Sequence, residues 1–495
     1  MDLSREAKRQ GKVVVQCHGC FDLLHIGHLR HFQEARTMGD VLIVTLTPDK
    51  FVDKGPHRPA FPQDLRAEAV AALSFVDYVA INEWPTAEKT LRLIQPDIYV
   101  KGVEFRTIES DHTGKIGREL KVIEEIGAQL RFTEDVVFSS TNLINRYLSN
   151  FPEDIQNYLL LLRQRHSVEE VFDAIEEMSN LNVLVVGDTI LDDYHFTEAI
   201  GKSSKEPIIV VKYLNNDMFA GGVVSIANHI ANFSNKTTLF SILGDQNDYE
   251  PFILDTLEEN VTPVFFHHPG IPTIIKRRFI EGYSLNKMFE VYVSGDAPLP
   301  KSVEDQCCDW LSENLEKFDL VVVADYGHGA VTDRMLSVLV EKSPYLAVNT
   351  QANAGNRGFH TISRYPRADF ICLSESELRL EMRQETGDIY PMLHDIAERL
   401  NSKHVLITRG KRGCMIRNED GVIIEVPAFA FQVLDRIGSG DALLSVASMA
   451  IRNGTADELV GFIGNVAGAL AVEIIGNQRP VDKASFSKHV KSLLK

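Results

Sequence analysis

Two segments of the chain carry residue types that suit phosphate chemistry. The first is His25-Ile26-Gly27-His28, in which two histidines stand three residues apart, so that a helix would present both on one face. Imidazoles in such a position can donate hydrogen bonds to the charge that builds up on a phosphoryl group and on its leaving group. The pair therefore predicts a site of phosphoryl or nucleotidyl transfer at the start of a helix.

The second segment is Gly438-Ser439-Gly440-Asp441, which stands directly before an apolar, helix-forming stretch. Glycines allow backbone N–H groups to close around an anion, and the start of a helix adds the positive end of its dipole. Asp441 would then accept the proton of an attacking hydroxyl while the amides stabilise the transferring γ-phosphoryl group. A glycine-rich turn capped by an aspartate is also an ordinary start of a helix.

The elements that must position these segments alternate between strands and helices. A strand predicted over residues 12–17 ends shortly before the two histidines, and a second series of buried strands opens at residue 182. Such alternation predicts two doubly wound parallel α/β sheets. We expect a domain over residues 1–147, a helical connector over 148–180 and a second domain over 181–495. Within the second domain, the apolar run from Pro207 to Val211 predicts part of a small β lid.

Composition limits the partners of the chain. Its 495 residues include 51 Lys and Arg and 69 Asp and Glu, a net charge of −18, which disfavours a broad surface for nucleic acid or anionic lipid. No segment approaches the roughly 20 apolar residues that cross a bilayer, and the N-terminus lacks the apolar core of a signal peptide, so we expect a cytoplasmic protein. Cys17 and Cys20 have C-x-x-C spacing without a second pair, which favours buried thiols over a zinc site.

The segment from Gly19 to His28 resembles the nucleotidyltransferase family that carries an H-x-G-H motif, in its cytidylyltransferase-like branch, over residues 12–147. The resemblance implies a Rossmann-like fold with His25 and His28 as catalytic residues. A sugar-phosphate or polyol-phosphate oxygen would attack the α-phosphate of a nucleoside triphosphate, ATP or CTP, and pyrophosphate would leave, with Mg²⁺ bound to the triphosphate. The nucleotide contacts implied by the resemblance are Gly19, Phe21, Asp22, Lys54, Arg58, Arg66, Lys101, Ser140 and Thr141.

Residues from about 180 to 490 resemble the ribokinase-like, PfkB-type carbohydrate kinases, notably the kinase half of bifunctional heptose-7-phosphate kinase/heptose-1-phosphate adenylyltransferases. The segments that carry the resemblance are Gly187-Asp188-Thr189-Ile190-Leu191-Asp192-Asp193-Tyr194 and Ile275-Lys276-Arg277-Arg278. It implies that Asp441 is the general base and that Gly438 and Gly440 shape an anion hole. The other residues that it implies are Asp188, Gly221 and Gly222 for the sugar, Lys276 and Arg278 for a substrate phosphate, Thr408 and Gly410 for ATP, and Glu377 for the metal.

Three positions depart from the kinase pattern. Ser225 stands where the family has an asparagine that touches sugar hydroxyls, Ser374 where it has the asparagine of Asn-x-x-Glu, and Asn349 where the heptose kinases have the aspartate of Asp-Pro-Lys. The order of the two domains is also reversed relative to the familiar bifunctional enzymes. Because a neutral side chain cannot supply the same charge or reach, we expect a different acceptor, or a kinase half of low or lost activity.

The sequence leaves two functions open. The first is an enzyme of nucleotide-sugar synthesis that phosphorylates a sugar with its C-terminal half and joins a sugar 1-phosphate to a nucleotide with its N-terminal half, giving an ADP-heptose-like product. The second is a CTP-dependent polyol-phosphate cytidylyltransferase whose kinase-like domain has altered specificity or only senses a ligand. Both bind a sugar or polyol phosphate and a nucleoside triphosphate, and both permit a homodimer.

Overall fold

The structure is a computed structural model that describes residues 2–52, 59–102, 115–133, 151–247, 249–283, 285–356, 358–430 and 432–494. The chain divides into two compact units. One comprises residues 1–152 with 487–495, and the other comprises residues 153–486. Four of the predicted nucleotide contacts, Lys54, Arg58, Ser140 and Thr141, lie outside the described residues.

Five strands form the sheet of the first unit: β1 (Val14–Gly19), β2 (Val41–Leu46), β3 (Tyr78–Ile81), β4 (Ile98–Gly102) and β5 (Gln129–Thr133). All five are parallel, in the order β3-β2-β1-β4-β5. The chain leaves β1 toward β2 on one side and later returns to β4 on the other, so the ligand crevice of this open sheet is expected at the carboxyl ends of β1 and β4. The helices are α1 (Asp2–Arg9), α2 (Ile26–Thr37), α3 (Gln63–Ala71), α4 (Glu88–Ile94) and α5 (Lys115–Ile126).

Continuous apolar runs place β1 and β2 at the centre of this sheet. Every residue of β2 is buried, and Val14, Val15 and Cys17 of β1 are also buried. Such runs are typical of parallel strands that helices cover on both faces. The prediction of buried thiols is confirmed, because Cys17 and Cys20 are buried and unbridged, and burial raises the pKa of Cys17.

A long strand, β6 (Asn182–Lys202), organises the second unit. The other strands of this unit are β7 (Ile209–Gly222), β8 (Lys236–Gly244), β9 (Val261–His268), β10 (Ile274–Glu281), β11 (Lys287–Val293), β12 (Leu320–Asp325), β13 (Leu346–Thr350), β14 (Phe370–Ser374), β15 (His404–Thr408), β16 (Cys414–Arg417) and β17 (Ile423–Val426). The first third of β6 pairs with β8 and β12 in the core sheet, and the rest pairs with β7 and β10 in the lid.

The core sheet has the order β9-β8-β6-β12-β13-β14-β15-β16-β17 and is parallel from β9 to β15. The last two strands are antiparallel. The lid has the order β7-β6-β10-β11. These sheets confirm the predicted α/β class and the predicted lid. The strand that opens at residue 182 extends beyond its apolar run: β6 continues through Asp192 and Asp193, whose buried carboxylates interrupt the run but pair with arginines of β10.

The helices from residue 153 onward are α6 (Glu153–Arg165), α7 (Val168–Glu177), α8 (Val223–Ala231), α9 (Glu250–Thr256), α10 (Lys301–Asn314), α11 (Asp333–Lys342), α12 (Glu375–Glu381), α13 (Ile389–Arg399), α14 (Ser439–Arg452), α15 (Asp457–Ala471) and α16 (Lys483–Leu493). Helices α6 and α7 occupy the segment predicted as a connector and belong to the second unit. In the part of the chain that the structure describes, no helix combines the length and apolar character needed to cross a membrane.

Candidate active sites

The two histidines of the first motif lie together at the carboxyl end of β1. His25 is the N-cap of α2, and its Nδ1 accepts a hydrogen bond of 3.1 Å from the backbone N–H of Gly27. The rings of His25 and His28 stack with their centroids 3.9 Å apart and their planes at 26°. The structure therefore brings both imidazoles to one face of the helix start, next to the crevice expected from the strand order.

Phe21 places the ring of His28. It has the left-handed φ of 48°, which folds its ring back against Phe32 at 4.8 Å and against the edge of His28 at 5.4 Å. A Cβ added at Gly19 would lie 2.9 Å from this ring, so the glycine leaves the space that the ring occupies. Phe21 is only 7% exposed, and its ring positions the histidine. Its contact with a nucleotide stays a prediction.

Arg66 joins three chain segments below the crevice. Its guanidinium donates to the carbonyl oxygens of Cys20, Thr47 and Phe61 and forms an ion pair of 2.6 Å with Asp49. The side chain has no exposed area. Its donors are thus directed to protein oxygens, and a contact between Arg66 and a triphosphate stays a prediction.

Asp22 likewise points into the protein. It is 3% exposed, and its Oδ1 accepts hydrogen bonds from the backbone N–H groups of Ala60 at 2.6 Å and Phe61 at 3.3 Å. The carboxylate therefore fixes the segment that leads into α3, and a direct contact with a nucleotide stays a prediction.

Replacing Arg66 with methionine should destabilise the first unit by about 3 kcal/mol, because three carbonyl oxygens would lose a buried donor and the partly exposed Asp49 carboxylate would lose its ion pair. Urea unfolding followed by fluorescence measures this free energy. The matched control is Arg92→Met, since Arg92 pairs with Glu125 across an exposed surface and its loss should change stability little. Equal effects of the two substitutions would contradict the assigned role of Arg66.

Lys101 lies at the carboxyl end of β4, across the strand crossover from the histidines. Its Nζ forms an ion pair of 3.0 Å with Glu119 and stands 5.2 Å above the ring of Tyr99. His31 follows His28 by one helical turn and shares a hydrogen bond of 2.9 Å with Thr133. Burial, and then the charge of Lys101, lower the pKa of His31 to about 4. The three-residue spacing between His28 and His31 could have indicated that His31 lies on the same helix face. Nothing in the sequence around Glu119 indicated its contact with Lys101.

Asp441 of the second motif stands in the first turn of α14. Its Oδ1 accepts a hydrogen bond of 2.8 Å from the hydroxyl of Tyr326, and burial raises its pKa to about 6. Gly438, the N-cap, has φ 80°, and a Cβ there would collide with the amide oxygen of Asn477. A Cβ at Gly440 would meet open space, so a ligand can approach the backbone at this point. The motif thus forms a helix start with a partly buried carboxylate.

Asp188 holds the turn that carries Tyr326. It is 1% exposed and accepts backbone hydrogen bonds from Tyr326 at 2.9 Å, Ala330 at 3.0 Å and His328 at 3.3 Å. Burial and then the charge of Asp325 raise its pKa to about 6. Asp188 thus positions the turn that carries Tyr326, which contacts Asp441. The contact of Asp188 with a sugar stays a prediction.

Asp192, to which the sequence analysis assigned no role, is a buried carboxylate beside the predicted glycine pair. It forms a buried ion pair with Arg278, and the side-chain amide of Asn477 donates to it at 3.1 Å. A Cβ at Gly221 would collide with the same carboxylate, and Gly222, with φ 58°, is the N-cap of α8. Gly221 of the predicted pair therefore lies against Asp192, whereas Gly222 lies against the backbone of Asp188.

The two predicted phosphate-binding cations differ in their surroundings. Arg278 is committed to Asp192 and to Glu290, which lies at 3.3 Å. Lys276 is 5% exposed, and its Nζ stands 5.1 Å above the ring of Tyr292. Within the described residues Lys276 makes no hydrogen bond or ion pair, and burial lowers its pKa. Of the two, Lys276 has donors available for an anionic substrate group.

Glu377 caps a helix. Its two carboxylate oxygens accept from the backbone N–H groups of Ser374 at 2.7 Å and Ala352 at 3.1 Å, and the Ser374 hydroxyl caps α12 in return. Ser374, one of the three positions that depart from the kinase pattern, thus completes a capping box. Asn349, another of these positions, donates to the carbonyl oxygen of Cys372 at 2.7 Å. A contact between Glu377 and a metal stays a prediction. Over the described ranges, no group of three or more His, Cys, Asp or Glu side chains could hold a metal ion.

The departure at Ser225 is offset by a residue from a distant part of the chain. The hydroxyl of Ser225 donates at 3.1 Å to the amide oxygen of Asn477, whose nitrogen reaches Asp192. An asparagine amide therefore lies beside Asp192 even though the position after the glycine pair is a serine. Sequence reasoning could not find Asn477, because 252 positions separate it from Ser225.

Thr408 and Gly410 lie at the carboxyl edge of the core sheet. Thr408 ends β15 and pairs in register with Ser374 of β14. Gly410 has the left-handed φ of 57° in the turn that follows. Their contact with ATP stays a prediction.

The elevated pKa of Asp441 predicts the pH dependence of any reaction in which it is the base. ADP release should fall as the pH drops through about 6, because the protonated carboxyl cannot accept a proton. The hydroxyl of Tyr326 lowers this pKa, so Tyr326→Phe should move the acidic limb to higher pH. A pH–rate series of both proteins measures the shift, with pyrophosphate release as the internal control. If the acidic limb of Tyr326→Phe lay at the same pH as that of the unmodified protein, the effect of Tyr326 on the pKa of Asp441 would be contradicted.

Two family models match the chain. Residues 180–484 match the pfkB family carbohydrate kinases, and residues 17–146 match the cytidylyltransferase-like family. A curated relative, the bifunctional protein HldE of Pelobacter propionicus, is 24% identical over 316 residues, 63% of each chain. HldE of Citrifermentans bemidjiense is 40% identical over 152 residues, 30% of each chain. The chain thus spans less than two thirds of the length of these relatives, and its domain order is reversed relative to HldE.

Solved structures share the fold of the kinase-like unit. Phosphofructokinase-2 from Escherichia coli in complex with potassium aligns with a TM-score of 0.54 at 15% identity, over 64% of this chain and 100% of that chain. The same protein with substrates and products gives a TM-score of 0.52 at 14% identity, with the same coverage. At such identities the likeness shows a ribokinase-like fold and nothing further. With a family match over more than half of its length, the chain belongs to the pfkB family of carbohydrate kinases and carries a cytidylyltransferase-like domain ahead of the kinase domain.

Proposed function

We propose that this protein is a bifunctional enzyme of nucleotide-sugar synthesis. Its C-terminal unit phosphorylates a sugar or sugar phosphate with ATP, and its N-terminal unit converts a sugar 1-phosphate and a nucleoside triphosphate into a nucleotide sugar and pyrophosphate. The resemblance to HldE supports both activities, and a heptose phosphate is the acceptor that this resemblance favours. The observation that carries the kinase proposal is the Asp441 carboxylate at the start of α14, held by Tyr326.

In the proposed kinase step, an acceptor hydroxyl attacks the γ-phosphorus of ATP. The new oxygen–phosphorus bond forms as the bond from the γ-phosphorus to the bridging oxygen breaks, and ADP leaves. Asp441 takes the proton of the hydroxyl, while the first backbone N–H groups of α14 donate to the γ-phosphoryl oxygens. Asp192 and Asn477 orient the acceptor hydroxyls, and Lys276 binds its anionic group.

Magnesium fits this site as a companion of the nucleotide. Proteins hold Mg²⁺ on nucleotides through one or two carboxylates together with the phosphates. Glu377 lies at the start of α12, which follows β14 at the carboxyl edge of the core sheet. The ion would neutralise phosphate charge, and Glu377 is the candidate carboxylate.

In the proposed nucleotidyl transfer, His25 and His28 donate hydrogen bonds to the α-phosphate and to the leaving pyrophosphate. No covalent intermediate is needed, because positioning and charge stabilisation can carry an in-line displacement. Lys101, across the crossover, adds positive charge near the triphosphate.

A second function is a cytidylyltransferase whose kinase-like unit only senses a ligand. The departures at Ser225, Ser374 and Asn349 motivate it. Two observations favour catalysis instead. Asn477 supplies an amide beside Asp192, and Asp441 keeps both the base position and a buried donor that orients it. A unit that only binds a sugar gains nothing from such a base.

A mass-based screen tests the proposal. The protein is incubated with each nucleoside triphosphate and a panel of sugar 1-phosphates, and separately with ATP and a panel of sugars and sugar phosphates. We expect one nucleotide-sugar mass with pyrophosphate, and ADP release with one acceptor class. Acceptor binding without ADP release from any member would favour the sensing function, and a CDP-polyol product would identify the alternative transferase.

A further inference from the structure

One side chain connects the lid to the segment that precedes the anion-binding turn. Lys287, the first residue of lid strand β11, places its Nζ 2.5 Å from Oδ1 of Asp435 and 5.4 Å from the ring of Tyr194. Asp435 is only 4% exposed and stands three residues before Gly438. This salt bridge thus joins a lid strand to the segment whose backbone would hold the transferred phosphate.

The Asp435 carboxylate also accepts hydrogen bonds from three other residues. Its Oδ1 also accepts from the backbone of Ile437 at 3.1 Å, and its Oδ2 accepts from the hydroxyl of Tyr194 at 2.6 Å and from the backbone of Gly476 at 3.0 Å. Burial would raise its pKa, but the hydrogen bonds from Lys287 and Tyr194 outweigh burial and lower it. The carboxylate is therefore charged, and Lys287 supplies the opposite charge.

The same carboxylate is coupled to the acceptor side of the site. Gly476 precedes Asn477, whose amide nitrogen donates to Asp192 and whose oxygen lies against Gly438. On the lid, β11 pairs with β10, the strand that carries Lys276. The cation available to an anionic substrate and the cation that holds Asp435 thus lie on neighbouring strands.

Loss of the Lys287 bond would leave a buried negative charge next to the anion-binding turn. An uncompensated buried charge is costly, and it would also repel a triphosphate that approaches the turn. A lid that moved away from the core would cause the same loss. The state of the lid and the ability of the turn to bind phosphate are therefore linked.

We propose that Lys287 is a positioning residue of the phosphoryl-transfer site, which holds the segment 435–438 through Asp435 only while β11 is in place. Ligand bound under the lid and triphosphate bound at the turn then strengthen each other, by the same factor in both directions. The kinetic part of this inference rests on the proposed kinase function, whereas the structural coupling does not.

Hydrogen exchange measured by mass spectrometry tests the coupling on the full chain with Mg²⁺ and a non-hydrolysable ATP analogue as the probe. In the unmodified protein, the analogue should protect both the turn, residues 432–441, and the lid strand, residues 285–293. In Lys287→Met, protection of the lid strand should be lost and protection of the turn reduced. Lys287→Arg should retain both. Lys212→Met, at an exposed lysine on lid strand β7, is the matched control and should behave as the unmodified protein.

The double variant Lys287→Met with Asp435→Asn covers the case in which the single variant does not fold, since it removes both charges. It should fold and still fail to transmit protection to the lid. Protection of the lid strand at the unmodified level in either variant would overturn the proposal.

Steady-state ADP release with the acceptor found in the panel gives the second readout. Lys287→Met should raise the KM for ATP and lower kcat by 10-fold or more, and Lys287→Arg should restore most of both. An unmodified protein that releases no ADP with any acceptor would contradict the kinase function, while the exchange experiment would still decide the coupling. A tenfold loss that arginine does not restore would count against positioning by charge.

Discussion

Asp441→Asn should lower ADP release by about 10³-fold, the range typical for loss of a general base, while the KM values change little. The asparagine keeps the size and the contact with Tyr326 but cannot take a proton. Coupled assay of ADP across the acceptor panel measures the loss, and pyrophosphate release from the other unit should remain at its original rate.

The control for this substitution is Asp217→Asn, at an exposed aspartate on lid strand β7. It should leave ADP release unchanged. If Asp441→Asn retained near-normal ADP release, Asp441 would not be the base, and the partly buried carboxylate would have only a structural role.

His28→Ala should lower pyrophosphate release by about 10²- to 10³-fold, the cost typical of removing one hydrogen-bond donor to transition-state charge. The ring of His28 stacks on His25 and is flanked by Phe21, so its removal takes away a positioned donor. Pyrophosphate detection with the nucleoside triphosphate and sugar 1-phosphate found in the screen measures the effect.

The two substitutions serve as controls for each other. His28→Ala should spare ADP release, and Asp441→Asn should spare pyrophosphate release, because the residues lie in separate units. Near-normal pyrophosphate release in His28→Ala would reject the role assigned to the histidine. Loss of both products in one variant, with an unchanged melting temperature, would contradict two independent sites.

Local patterns predicted the fold where apolar runs were continuous. Strands such as β2 and β12 are buried along their whole length, so their residues form uninterrupted runs. The pattern failed along β6, where Asp192 and Asp193 are buried in a strand because arginines from β10 neutralise them. Such compensation comes from a segment more than 80 positions away and leaves no trace in the local sequence.

In the candidate sites, the short motifs could be predicted from the sequence, but the roles of single charged residues could not. The motifs with short spacing, His25 with His28 and Gly438 with Asp441, form the helix starts that their residues indicated. Charged residues near the motifs were harder to interpret. Arg66 and Asp188 have residue types suited to ligands, but the structure uses their groups to satisfy backbone atoms, a choice that depends on tertiary packing.

The continuity of β6 has a mechanical consequence for the lid. One unbroken strand of 21 residues belongs to both sheets, so the lid has no flexible linker at this point on which to swing as a rigid flap. Displacement of the lid relative to the core must bend and twist the strand itself where it passes from one sheet to the other, after Asp188. The stiffness of β6 and the strand pairing on both sides of Asp188 therefore resist displacement of the lid.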